Sequence, residues 1–144
     1  MAESYQIRQV NLPDEYVSLI RLWGSVGPGI GISRSDDLIE LEKKFHLDPD
    51  LFLVTEEKGQ IIGSVIGGYD GRRGLIYHLA VAVEHQHRGL GDRMLKEIEA
   101  RLKARGCIKA YLLVKQGNPT LERFYEEREW QSMDDIKIFG KNLL

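Results

Sequence analysis

The chain has 144 residues, 42% apolar and 29% charged, with 20 Lys and Arg against 22 Asp and Glu for a net charge of −2. A length of this order folds as one domain that buries about 70% of the surface its unfolded chain exposes, so a single domain over 1–144 is expected. These proportions exclude disorder, collagen and coiled coil, the near-balanced charge argues against a nucleic-acid grip, and the single cysteine, Cys107, excludes an internal disulfide and a cysteine-rich zinc framework.

The start, Met1-Ala2-Glu3-Ser4-Tyr5-Gln6, places acidic and polar groups where a signal peptide needs an apolar stretch. No apolar run approaches the roughly 18 residues of a membrane span. The expectation is a soluble cytoplasmic protein with no membrane partner, as monomer or homodimer. Tyr5 to Val10 reads as a strand, with Tyr5 and Ile7 on one face. Pro13 can open a helix whose stripe is Tyr16, Leu19, Ile20 and Trp23. Gly24 to Ser33 then holds four glycines and a proline, a loop that is either functional or a plain connector. Ser35 is the expected cap of a second helix through Phe45, with Leu38, Leu41 and Phe45 as its apolar side.

Leu51 to Thr55 reads as a buried strand, Glu57-Lys58-Gly59 as a turn, and Ile61 to Ile66 as the antiparallel partner. Tyr69 to Gly74 is a second turn with an Asp-Gly signal. Leu75 to Val83 is apolar on both faces, as a central strand requires. Gly89 to Arg105 is the clearest helix. Leu90, Met94, Leu95, Ile98 and Leu102 form its apolar stripe, and Gly106 its stop. Ile108 to Val114 reads as a strand. Asn118 to Glu127 is a helix opened by a cap and a proline, and Ile136 to Phe139 is a closing strand. The order β-α-α-β-β-β-α-β-α-β defines an α/β fold: a mixed, mostly antiparallel central sheet flanked by helices on both faces.

Chemistry concentrates where the central strand meets the clearest helix, in Val81-Ala82-Val83-Glu84-His85-Gln86-His87-Arg88-Gly89-Leu90-Gly91-Asp92-Arg93. The first turn of a helix carries N–H groups without internal partners and about half a positive charge. Glycines at 89 and 91 let an anion approach the backbone, which makes a phosphate or pyrophosphate cradle. The same glycines also serve close packing of helix on sheet. Met94 stands where a dinucleotide fingerprint needs a third small residue, and no Gly-Lys-Ser/Thr follows, so Rossmann and Walker readings fail.

Gln86-His87-Arg88-Gly89-Leu90-Gly91 resembles the Q/R-x-x-G-x-G/A motif of the GCN5-related N-acetyltransferases. Leu79-Ala80-Val81 stands where that family has its cofactor-binding strand, and Asn118 with Phe124-Tyr125 resembles its Asn-then-Phe/Tyr-Tyr helix. The resemblance extends over most of the chain and looks closest to small bacterial ribosomal-protein N-acetyltransferase-like members. It implies an N-acetyltransferase with acetyl-CoA as acetyl donor and a primary amine of a small molecule or peptide as acceptor. An acyl-CoA-binding sensor with little catalysis is the alternative. The pyrophosphate would lie on His87, Arg88, Gly89, Leu90, Gly91 and Asp92. The pantetheine arm would run beside Leu79, Ala80 and Val81 like an added strand, with an N–H of Leu79 or Val81 aimed at the thioester carbonyl. Tyr125 would be the general acid that protonates the leaving thiolate. Asn118 would contact the cofactor arm, cap its helix, or both.

Some relatives carry a glutamate base five residues before the Asn, where this chain has Leu113. His78 is then either a base or a packed core histidine. Asp36, Asp37 and Glu40 are either an attraction for a cationic amine or an ordinary solvated face. Asp92 puts a negative charge beside the expected pyrophosphate. Glu127-Arg128-Glu129-Trp130 lacks the glycine that usually ends the last helix. His85 and His87 have no third ligand, so no metal is expected, and Cys107 reads as an inert thiol rather than a nucleophile.

Overall fold

Short apolar runs separated by turn chemistry build the sheet. The computed structural model describes residues 4–27 and 30–144. Its strands are β1 (Gln6–Gln9), β2 (Phe52–Glu57), β3 (Gln60–Tyr69), β4 (Gly74–Val81) and β5 (Ala110–Leu112). They lie in the order β1-β2-β3-β4-β5. The first four are antiparallel neighbours and β5 joins β4 in parallel. The helices are α1 (Tyr16–Ser25), α2 (Leu38–Leu47), α3 (Leu90–Ala104) and α4 (Pro119–Glu126). The chain divides into two compact units, one ending at Leu113 and one running from Val114 to Leu144. The sheet and α1 to α3 form the first, and α4 belongs to the second.

Strand alternation sorts the core onto two faces. On one, Phe52, Val54, Ile66 and Ala80 pack with Val10, Leu19, Leu22, Trp23 and Leu41. Each fully buried side chain of this kind contributes about 1.5–3 kcal/mol. On the other face β3 presents glycines to α3. A Cβ at Gly63 would lie 2.8 Å from Met94 Sδ, and one at Gly67 would lie 3.0 Å from Ile98. Bare backbone there lets α3 seat its buried stripe, Met94, Leu95, Ile98 and Leu102, against the sheet.

Four local details depart from the sequence reading. First, α1 begins at Tyr16 rather than Pro13, because Glu15 at its cap is held by Arg8 and by the Asn11 N–H. Second, Ser35 does not cap α2, whose N-cap is Asp37 without a side-chain cap bond; Ser33 caps the turn before it, its hydroxyl accepting from the Ser35 N–H at 3.3 Å while the Asp36 carboxylate accepts from the Ser33 N–H at 3.0 Å. This reciprocal box closes a 3-10 turn, Arg34–Asp36, ahead of α2. Third, β5 keeps only three residues. Fourth, Ile136 to Phe139 forms no strand. Its apolar residues are 58%, 67% and 92% exposed at Ile136, Ile138 and Phe139, so no sheet face receives the alternation that suggested one. Pro28 and Gly29 of the glycine loop, and Met1 to Glu3, lie outside the described residues.

Candidate active site

The central strand changes character halfway along. From Gly74 to Ile76 it pairs with β5 on one side and β3 on the other. β5 then ends, and only β3 continues, with Ser64 opposite Ala80 and Gly63 opposite Val81. Between these stretches the register slips at Ser64/Ile66, and His78 adopts φ +52°. That is a bulge, which bends and twists its strand. Past it, the Ala82 N–H donates to the Ile62 carbonyl at 2.8 Å. Antiparallel backbone alternates direction, so the polar groups of Leu79 and Val81 face the opposite edge. There the Gln86 side-chain amide donates to the Val81 carbonyl at 3.0 Å. The Leu79 and Val81 N–H groups are left along an edge with no strand partner among the described residues.

The chain leaves that edge through a 3-10 turn, Val83–His85. His87 (φ +64°) and Gly89 (φ +81°) then take left-handed conformations and α3 starts at Leu90. No side chain caps this start, so the Leu90 and Gly91 N–H groups at the head of the helix have no intrahelical partner. A Cβ at Gly89 would meet nothing within 4 Å. Glycine there serves the backbone conformation and an open approach, not close packing of helix on sheet. His87, Arg88 and Gly89 are exposed. The Asp92 carboxylate pairs with Lys96 Nζ at 3.0 Å one turn along the helix, which offsets its charge. Leu79, Ala80, Val81, His87, Arg88, Gly89, Leu90, Gly91 and Asp92 are thus brought together as one strand edge running into one helix start. These features fit a ligand with an extended amide-bearing arm and a pyrophosphate.

On the α1 face of the same strand lies a polar cluster. His78 Nε2 is 2.9 Å from Asp36 Oδ1. The His78 carbonyl accepts from Ser64 Oγ at 2.8 Å, and Ser64 Oγ accepts from Trp23 Nε1 at 2.8 Å. The His78 ring stands edge-on to Trp23 with centroids 4.6 Å apart. Tyr16 donates to the Asp36 carbonyl at 3.1 Å. Burial, then the nearby Asp36 and Asp48 charges, pushes the neighbouring Tyr77 hydroxyl up to about 12. Sequence reasoning named His78 and Asp36 separately but did not join them. The Ser33-x-x-Asp36 box is a readable signal for the aspartate's turn, whereas the pairing spans 42 positions.

In the second unit, Asn118 caps α4 by accepting from the Leu121 N–H at 3.1 Å. Tyr125 sits in the last turn, edge-on to Phe124 (5.2 Å) and Trp130 (6.4 Å). Burial pushes its hydroxyl up to about 12. Glu129 takes φ +69°, the conformation for which glycine is suited, at the point where glycine is missing. His85 Nε2 lies 3.4 Å from Glu57 Oε2 rather than joining His87. Among the described residues no group of three or more His, Cys, Asp or Glu is placed to hold a metal ion, and no helix is long and apolar enough to cross a membrane.

Comparison with known proteins places this arrangement. Residues 16–130 match the model of the acetyltransferase (GNAT) family. The chain is 36% identical over 131 residues to an acetyltransferase of Sodalis glossinidius, covering 91% of each chain. It is 38% identical over 131 residues to one of Pectobacterium atrosepticum, again covering 91% of each. Among solved structures, the fold is similar to that of the PaiA N-acetyltransferase from Thermoplasma acidophilum in complex with coenzyme A. There the TM-score is 0.75 at 19% identity, over 88% of this chain and 89% of the other. Glucosamine-6-phosphate N-acetyltransferase from Arabidopsis thaliana shares the fold at TM-score 0.70 and 21% identity, over 98% and 99%. The chain belongs to the GNAT family. It is an N-acetyltransferase, and its acetyl donor is acetyl-CoA.

Proposed function

We propose that this chain transfers an acetyl group directly from acetyl-CoA to a primary amine of a small molecule or peptide, without an acyl-enzyme. The observation that carries this reading is the continuity of the open β4 edge with the uncapped start of α3. Acetyl-CoA supplies an acyl group activated as a thioester. The Leu90 and Gly91 N–H groups, with the approach through His87, Arg88 and Gly89, hold the pyrophosphate by hydrogen bonds and the helix dipole. Leu79, Ala80 and Val81 hold the pantetheine arm as an added strand. The free N–H of Leu79 or Val81 stabilises negative charge as it develops on the carbonyl oxygen. By the family resemblance, Tyr125 is the group that would donate a proton to the leaving sulfur, and Asn118 one that would contact the arm. Cys107 is not required, since the nitrogen attacks the acyl carbon itself.

A thermal melt with and without acetyl-CoA tests the reading, with Gly91→Glu alongside. Ligand at about 100 times its Kd adds about 2.7 kcal/mol, which raises Tm by several degrees. A shift in the parent that is lost in Gly91→Glu supports the cradle, and CoA release across an amine panel then finds the acceptor. No shift at millimolar acetyl-CoA overturns the reading.

A further inference from the structure

We propose that His78 is the base that takes a proton from the acceptor amine, and that Asp36 positions it. This rests on the transferase reading above. A cationic amine must lose a proton before it attacks, and Leu113, where some relatives carry a glutamate, offers no base. His78 immediately precedes Leu79, whose N–H faces the open edge, so its ring stands beside the place where acyl transfer is assigned.

The bulge puts the ring there. A non-glycine residue at φ +52° persists only where its surroundings over-determine it, and here they do so from several sides. The His78 carbonyl is held by Ser64, and Ser64 by Trp23. Trp23 also stands edge-on to the ring. Asp36 is itself fixed: Oδ2 accepts from the Ser33 N–H at 3.0 Å while Oδ1 faces His78 Nε2 at 2.9 Å. A carboxylate acceptor requires Nε2 to carry the hydrogen, which leaves the lone pair on Nδ1. Nδ1 has no protein partner among the described residues and is not sealed from solvent. The His78 side chain is 16% exposed against 7% for Asp36, so the base is the more open of the two and its support the more enclosed. The titratable groups around the ring are Asp36 from the 3-10 turn, Tyr77 on the same strand, and Tyr16 of α1, which reaches it through the Asp36 carbonyl. Ser64 and Trp23 do not titrate in this range.

The step balances as follows for the atoms involved. The ammonium gives one proton to Nδ1, and the resulting imidazolium, paired with Asp36, passes it to solvent. The nitrogen–carbon bond forms as the carbon–sulfur bond breaks. The second proton that the nitrogen loses matches the one taken up by the departing thiolate.

The test uses three variants with benzylamine, a primary amine with an apolar ring, as acceptor. His78→Asn keeps a residue tolerant of left-handed backbone, His78→Gln keeps reach, and Asp36→Asn removes the support. Both His78 variants should keep the acetyl-CoA melting shift and lose about 100-fold or more in kcat with little change in KM. They should also lose the low-pH limb of the kcat/KM profile. Hydroxylamine, already unprotonated at neutral pH, should recover part of that loss. In Asp36→Asn kcat should fall while the acetyl-CoA melting shift and KM are kept. Nitrogen NMR of the free protein gives a readout independent of turnover. The parent should carry its imidazole hydrogen on Nε2, and Asp36→Asn should mix the tautomers. Turnover within twofold of the parent in both His78 variants, or an Nδ1–H tautomer in the parent, overturns the proposal. A missing acetyl-CoA shift in the parent would instead overturn the transferase reading itself.

Discussion

In the proposed reaction Tyr125 must be neutral to give up a proton, and burial works in that direction. Its hydroxyl is pushed up to about 12, so the protonated form persists well above the ordinary tyrosine range. The sign follows directly: activity that depends on the protonated phenol should hold through neutral and mildly alkaline pH and fall only at high pH. Tyr125→Phe keeps the ring packed against Phe124 and Trp130 and removes only the hydroxyl. It should lower kcat by about 100-fold or more while leaving the acetyl-CoA melting shift intact. Steady-state CoA release beside the melt checks both halves, and unchanged turnover would remove Tyr125 from the reaction.

α4 shows how one absent glycine is accommodated. The Glu129 N–H still donates to the Glu126 carbonyl at 3.1 Å, so the closing turn forms with a side chain in left-handed backbone. That conformation costs about 1–2 kcal/mol for an L-residue other than glycine, offset in part by the extra freedom glycine gives the unfolded chain. Glu129→Gly should therefore stabilise the protein by about 0.5–1 kcal/mol, read as a rise in Tm of a few degrees; a fall in Tm would contradict it. This strain was legible as a missing glycine in Glu127-Arg128-Glu129-Trp130. The long stripes of α1 and α3, the β2–β3 hairpin and the uncapped Gly89 start were legible too, since each is set by local spacing and turn chemistry. The His78 bulge was not, because Tyr77-His78-Leu79 is locally an ordinary strand sequence and its geometry is imposed by β3 and Trp23. The strand expected at Ile136 to Phe139 failed for the converse reason: its alternation is local, but a strand needs a partner.

Across the first unit, acidic groups held by arginine and lysine set the response to acid. Burial pushes the Asp48 carboxyl up, but hydrogen bonds from Lys44 and Arg105 outweigh it and the net shift is downward from 3.8. The hydrogen bond from Arg105 holds Asp50 below the same value. These bonds tie the end of α3 to the segment between α2 and β2. A carboxylate with a depressed folded value contributes stability that is present above its unfolded value and lost as pH falls through the folded one. Stability should thus be flat from neutral pH to about 5 and fall below about 4. Asp48→Asn should cost about 1.5–3 kcal/mol at neutral pH, and the gap from the parent should close by about pH 2, as melts between pH 2 and 7 would show. An equal gap at both ends would mean that Asp48 acts through packing alone.

The open edge of β4 has a consequence for the enzyme when it is starved of its donor. Backbone N–H groups that welcome a pantetheine arm welcome any extended chain, and an unpaired strand edge is a template for self-association. The Gln86 amide already shields one carbonyl of that edge, and the proposed reading leaves the neighbouring N–H groups to the cofactor. Acetyl-CoA would then act as a solubility factor as well as a reagent. Light scattering from concentrated protein should grow more slowly with acetyl-CoA present, and equal growth would mean the edge is protected by other means. A cell with ample acetyl-CoA would keep this protein dispersed, and one depleted of it would lose the activity and its colloidal protection together.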